Sequence, residues 1–367
     1  MSTSGATPQF RCPSCSAAME FDPQSGGMKC RFCGHAEAIV PSSVAVSVHT
    51  LEEGLAEATA LHQTPHGEGA MEVTCTGCGS VVAFQPPDVA GICPFCANAI
   101  VAQARAADPL IAPDGVLPAK IPKAQAQARV REWLAARWFA PNALKRMAQQ
   151  EGIAGVYLPF WDWAADTDSR YTGERGEHYW ETEYYTETDS NGRSVQRERQ
   201  VQHTRWYPAS GRVSRHFDNV LIPATRSVKE ARLTALEPWD LEALCAYEPA
   251  WLAGFRAQRY QVELPEGFDK AKQAMAAVID GDVRRDIGGD EQRVDSVDTT
   301  TTNTTFRHLL LPVRIGAYRF KEKLFQVVVN ARTGEVQGER PWSVAKVSLL
   351  VAAIVLFVLL LMLLRHH

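Results

Sequence analysis

The sequence predicts an α+β chain in several parts: two small copies of one cysteine unit, a larger domain built on an antiparallel sheet, and one apolar helix near the C-terminal end. Three observations carry this. Eight of the nine cysteines form two identical patterns, Cys12-x2-Cys15-x14-Cys30-x2-Cys33 and Cys75-x2-Cys78-x14-Cys93-x2-Cys96, offset throughout by 63 residues. Residues 119–342 alternate helical periodicity with β-type runs and hairpin turns. Val347 to Leu364 is a run of 18 residues in which Ser348 alone is polar.

The first unit covers residues 8–40 and the second 71–104. In each, a cysteine turn (Pro13-Ser14, then Thr76-Gly77) leads into a short strand, Ala18 to Phe21 or Val81 to Phe84. A loop with Gly26-Gly27 or Pro86-Pro87 and a second cysteine turn follow, and Phe21 and Phe32 fall on Phe84 and Phe95 at the same offset. Two Cys-x-x-Cys turns supply four thiolates, the donor set of a tetrahedral Zn²⁺ site with no open position. Cys12, Cys15, Cys30 and Cys33, and Cys75, Cys78, Cys93 and Cys96, are therefore the predicted ligands of two structural Zn²⁺ sites, and each unit reads as a zinc ribbon. Units this short bury too little apolar surface to hold together alone, so coordination supplies the stability, about 10–16 kcal/mol per site in zinc-finger peptides. Disulfides and rubredoxin-type iron are the alternatives. Identical spacing and a short polar start, Met1 to Gln9, favour reduced metal-binding thiols, while spacing does not separate zinc from iron. Cys245, in a helical-looking stretch from Trp239 to Tyr247, is expected as a core residue.

Residues 41–70 read as a linker holding a short helix, Leu51 to Leu61, with Thr50 as N-cap and Glu53 three residues on, and then a loose stretch from Gln63 to Gly69. The two units are expected to be tethered, not fused. Ala/Pro-rich residues 105–118 read as a linker into the main domain, residues 119–342. There, Lys123 to Phe139 places Ala126, Val130, Trp133, Leu134 and Trp138 on one helical face, and Pro141 ends it. A strand over Gly155 to Asp168 precedes two more, Tyr171 to Thr188 and Arg193 to Trp206, around the turn Asp189-Ser190-Asn191-Gly192, and Val213 to Ile222 continues an antiparallel meander. Helices return at the Ser227/Glu230 capping box, at Asp240 to Tyr247, and over Phe268 to Val283, whose common face is Ala271, Met275, Val278, Ile279 and Val283. Strands His308 to Phe320 and Lys323 to Asn330 close the domain before the Thr333-Gly334 turn.

Chemistry beyond metal binding finds little support. The aromatic run Tyr157 to Trp163 reads as core. Tyr179, Trp180, Tyr184 and Tyr185 alternate with glutamates while Arg193, Arg197 and Arg199 lie on the partner strand, as on a charged solvent face. His178, His203 and His216, with Asp162, Asp166 and Asp168, match no known ligand spacing. No phosphate loop, nucleophile elbow or His-Glu-x-x-His motif occurs, so no nucleotide, no catalytic residue and no enzymatic activity are expected.

At about 1.5 Å per residue the run from Val347 to Leu364 reaches roughly 27 Å, enough for a transmembrane helix over residues 343–365. Trp342 and Lys346 stand where interfacial anchors belong. Reduced thiols place the bulk of the chain in the cytosol, giving a single-pass, tail-anchored protein. Residues 1–105 carry four basic and nine acidic side chains, and two four-thiolate zinc sites of about −2 each deepen the deficit. Phosphate contacts need Lys and Arg, so nucleic acid is disfavoured and a protein partner favoured.

The tandem ribbons, the segments Gly155 to Trp161 and Val329 to Ser343, and the terminal span resemble a bacterial family of membrane-anchored, TFIIB-type zinc-ribbon proteins. Its members are often labelled primosomal protein N′ (replication factor Y) or superfamily II helicase-like, and some relatives are associated with SPFH and phage-shock-type membrane proteins. The resemblance implies a membrane-anchored adaptor that recruits envelope-stress, SPFH or phage-shock-type partners. The label implies the alternative, a nucleic-acid-associated protein related to replication, primosome or helicase factors.

Overall fold

In the computed structural model, residues 10–40, 44–62, 71–75, 78–84, 90–96, 99–101, 105–106, 110–137, 153–188, 193–320, 323–339 and 344–365 are described. Outside them lie the Gln63 to Gly69 stretch, Trp138, Pro141, the 189–192 turn, Thr76-Gly77, Pro86-Pro87 and Trp342. The chain is α+β with a large, mainly antiparallel sheet.

In chain order, the first cysteine unit holds β1 (Met19–Asp22), β2 (Gly27–Cys30) and β3 (Ala36–Ala38), a three-stranded sheet ordered β1-β2-β3. After β4 (His49–Thr50) comes α1 (Leu51–His62), opened by the expected capping box. The Thr50 amide donates to Glu53 Oε2 at 2.9 Å and the Glu53 amide to Thr50 Oγ1 at 3.3 Å. The second unit holds β5 (Met71–Thr74), β6 (Val81–Phe84), β7 (Ala90–Ile92), β8 (Ala99–Val101) and β9 (Arg105–Ala106), with β5 between β6 and β9 and with β7 paired to β8.

The remaining elements are β10 (Gly115–Val116), α2 (Lys123–Ala135), β11 (Ile153–Thr188), β12 (Ser194–Pro223), α3 (Glu230–Thr234), β13 (Cys245–Ala246), β14 (Arg256–Ala257), α4 (Leu264–Ile287), β15 (Glu291–Phe320), β16 (Lys323–Asn330), β17 (Val336–Gly338) and α5 (Val344–Arg365). The main sheet runs β12-β11-β15-β10-β13, with β14 on β11, β4 and β16 on β15, and β17 on β16.

Several expectations are corrected. The strands over Gly155 to Asp168 and Tyr171 to Thr188 are one strand, β11, and Arg193 to Trp206 and Val213 to Ile222 are likewise one, β12, so two long strands stand in place of the expected meander. β15 begins at Glu291, not His308. Among the described pairings, Val116 against Leu310 and Tyr157 against Ala257 are parallel. The 105–118 linker contributes β10, and Ile111, Val116 and Leu117 are buried. The Ser227 capping box is absent: α3 starts at Glu230 without a side-chain cap, because the Ser227 hydroxyl accepts from Gln258 Nε2 at 2.5 Å and donates to Gln261 Oε1 at 3.3 Å. The helix over Asp240 to Tyr247 is a single 3₁₀ turn, Leu241–Ala243, followed by β13, so half-buried Cys245 sits on a strand opposite Val116.

The chain divides into two compact units. Unit 1 comprises residues 1–161, 223–264 and 307–367. The aromatic run packs in its core: Tyr157, Leu158, Phe160 and Trp161 are buried, Trp161 Nε1 donates to the Val262 carbonyl at 2.8 Å, and its ring lies 5.0 Å from Tyr260. α2 buries Ala126, Val130 and Leu134 against Ile153, Val327, Val329 and Val336, with Trp133 at the edge. The Asn330 to Gly334 turn joins β16 to β17; buried Asn330 accepts from the amides of Arg332 and Thr333 and donates to the Leu236 carbonyl.

Unit 2 comprises residues 162–222 and 265–306. In it α4 buries Ala271, Met275, Ile279, Val283 and Ile287, while Val278 is 44% exposed and so lies off the expected face. Trp163 packs against Phe268 and Phe306, centroids 5.0 and 5.6 Å away. Ser169, Thr172 and Glu174 of β11 meet Thr299, Ser296 and Arg293 of β15 in reversed order, as antiparallel strands do.

α5 presents Leu349, Val351, Ile354, Val355, Leu356, Phe357, Leu361 and Met362 as exposed apolar side chains. Among the described residues, no helix is long and apolar enough to cross a membrane.

Candidate metal centres

Each cysteine set converges on a point. In the first, Cys12 Sγ lies 3.4 Å from Cys33 Sγ and Cys15 Sγ 3.5 Å from Cys30 Sγ; in the second, Cys75 is 3.5 Å from Cys96 and Cys78 3.7 Å from Cys93. All four sulfurs of a set lie within 4.8 Å of one another. A disulfide requires about 2.05 Å. Sulfurs held about 2.3 Å from a tetrahedral zinc stand about 3.8 Å apart, so both sets fit four-thiolate coordination, and the nearest pairs cross between the two turns of a unit instead of closing within one.

The turns repeat in atomic detail. The Cys12 amide donates to the Ala17 carbonyl and the Ser16 amide to the Cys12 carbonyl, each at 2.8 Å; 63 residues on, Cys75 donates to Ser80 and Gly79 to Cys75, again at 2.8 Å. The fifth residue of each turn is left-handed, Ser16 at φ 60° and Gly79 at φ 74°. That conformation suits glycine, and serine adopts it at a cost of roughly 1–2 kcal/mol. The amides of Cys33 and Phe32 point at the Cys30 sulfur and pull its thiol down to about 6, favouring the thiolate a metal needs. Burial pushes the Cys93 thiol up.

The first unit packs on the core of the sheet. Cys12, Met19, Phe21, Met28 and Cys30 share one buried cluster with Val116, Tyr157, Trp251, Leu310 and Ala331. The Phe21 amide donates to the Ala253 carbonyl at 3.0 Å, and its ring meets Trp251. Gly254, at φ 79°, lets the backbone approach: a Cβ there would lie 2.9 Å from that of Glu20. In the second unit Gln326 Nε2 of β16 donates to the Phe95 carbonyl at 2.9 Å. Trp251 and Gly254 were missed from sequence because the run Trp251 to Phe255 forms only a 3₁₀ turn and a bend and shows no periodicity.

The two units differ in exposure. Cys12 and Cys30 are buried while Cys15 and Cys33 are exposed; Cys75, Cys93 and Cys96 are buried and Cys78 partly so. Phe32 is 82% exposed and its counterpart Phe95 1%.

The histidines and aspartates of unit 2 do not converge. His216 Nδ1 pairs with Asp166 at 2.7 Å, Arg212 with Asp168, and His178 Nε2 with Glu291 at 2.8 Å. Among the described residues, the groups with metal-ligand geometry are the two cysteine sets. The hairpin face is ion-paired as expected, with Arg197 on Glu187 at 2.8 Å and Arg199 on Glu183 at 2.7 Å.

No family model matches the chain. It is similar to a protein of Bacillus subtilis (strain 168), "Uncharacterized protein YdjG", with 26% identity over 343 residues, 92% of each chain. No solved structure matches. The similarity to the Bacillus protein runs through nearly the whole length, not the cysteine units alone.

Proposed function

We propose that this chain is a zinc-binding, non-enzymatic adaptor, held in the bacterial cytoplasmic membrane by α5, with two zinc ribbons that organise a docking surface for a protein partner. The observation that carries the reading is the closure of both cysteine sets: four sulfurs within 4.8 Å leave no position for substrate or water on a metal. A metal held that way shapes the chain and does no chemistry. The 22-residue α5 and its exposed leucines, valines and Phe357 support the anchor, since so much contiguous apolar surface is unfavourable in water. Confinement to a membrane raises the effective concentration of whatever the ribbons and the acidic N-terminal third bind. The same acidity, four basic against nine acidic side chains over residues 1–105, favours a protein over nucleic acid.

Two experiments test this. The full chain should stay with membranes through a high-salt and alkaline wash, and a chain ending at Glu339 should not; release of both would overturn the anchor. Partners captured from detergent-solubilised membranes should be lost with Cys12→Ser/Cys75→Ser, and an unchanged set would overturn the docking role of the ribbons.

A further inference from the structure

The two cysteine sets have the same spacing and turns but not the same access. In the first, Cys15 and Cys33 are exposed, and each lies against a buried sulfur of the other turn, Cys30 at 3.5 Å and Cys12 at 3.4 Å. In the second, Cys75, Cys93 and Cys96 are at most 3% exposed and only Cys78 is partly exposed. Thiolate oxidation is governed by access as well as nucleophilicity.

We propose that Cys15 and Cys33 are the site at which a small peroxide-class oxidant modifies this protein, making the first metal site the oxidant-labile one and the second the more resistant. The exposed Cys33 thiolate attacks the peroxide O–O bond, giving a sulfenic acid and hydroxide. The Cys12 thiolate then displaces a second hydroxide, forming the Cys12–Cys33 disulfide. Cys15 reacts in the same way and is resolved by Cys30. In sum four thiolates lose four electrons, two peroxides take them up to give four hydroxides, and Zn²⁺ leaves unchanged in oxidation state. Because Cys12 and Cys30 belong to the cluster that packs the unit on Tyr157 and Trp251, loss of the metal also loosens the unit from the core.

The proposal rests on both sets holding zinc, which the starting metal content checks separately. The detergent-solubilised full chain is treated with hydrogen peroxide while a chromophoric chelator reports zinc release and mass spectrometry maps disulfides. One zinc per chain should leave at least roughly tenfold faster than the other, with Cys12–Cys33 and Cys15–Cys30 linked and the second set still reduced. Cys78→Ser, which disturbs the second set alone, should keep the fast phase, and its loss would place the labile zinc in the second set and overturn the proposal. Equal release rates, or earlier oxidation of the second set, overturn the proposal alone. Fewer than two zinc ions at the start overturns the metal reading and the proposal with it.

Discussion

Phe21 stands edge-on to Trp251, with 5.4 Å between ring centroids and 70° between planes. Both rings are buried, and they join β1 of the first cysteine unit to the core of the α+β domain. The metal turn is thereby coupled to the fold. A change at either ring should be felt at the other.

Phe21→Ala and Trp251→Ala should each cost about 3–5 kcal/mol in denaturant unfolding, the range for deleting a buried aromatic. Together they should cost less than the sum, by about 0.5–1.5 kcal/mol, because the second truncation finds its partner gone. Strict additivity would show that the unit and the core do not depend on this contact.

Gly254→Ala should be worse than Gly26→Ala. Both positions are left-handed, at φ 79° and 67°, and so share a penalty of roughly 1–2 kcal/mol. A Cβ at 254 also meets three Glu20 carbons within 3.0 Å, whereas one at 26 meets nothing within 4 Å. Limited proteolysis should therefore cut the first unit faster in the former variant, and equal rates would contradict the close approach.

Ser16→Gly should stabilise the first unit. Serine holds φ 60° at the position where the second unit has glycine, and relieving it should gain up to about 1 kcal/mol. The check is a higher chelator concentration for zinc loss than in the parent chain.

Asp282 carries the acid-side prediction. Its hydrogen bonds to Arg215, with Arg285 beside it, hold the carboxyl at about 2, below its ordinary 3.8. A depressed carboxylate contributes stability that is full above the unfolded value and is lost as pH falls through the folded one. Unfolding midpoints should decline between about pH 4 and pH 2 through this pair, and Asp282→Asn should flatten that limb. An unchanged slope would show that the pair contributes nothing.

What was legible in the sequence is what short-range rules determine. Cysteine spacing placed both sets, the Thr50/Glu53 box opened α1, and Val81–Phe84 is a strand with the expected ends. The face of α4 was right at Ala271, Met275, Ile279 and Val283, and wrong only at Val278. The first half of β15 was hidden because Asp295, Asp298 and the threonines around them give no apolar alternation; hydroxyl pairs such as Ser169–Thr299 at 2.7 Å hold it to β11 instead. Ser227 looked like a cap and is taken by Gln258 and Gln261, which lie about thirty residues on. The docking of the first unit was invisible because Phe21, Trp251 and Gly254 come together only through the tertiary fold.

The most direct test of the account is the metal content and sulfur environment of the purified full chain. Elemental analysis with X-ray absorption at the zinc edge should give two zinc ions per chain, each with four sulfur neighbours at about 2.3 Å and no oxygen or nitrogen ligand. Disulfide-bonded cysteines, fewer than two metals, or a light-atom ligand in either shell would contradict it.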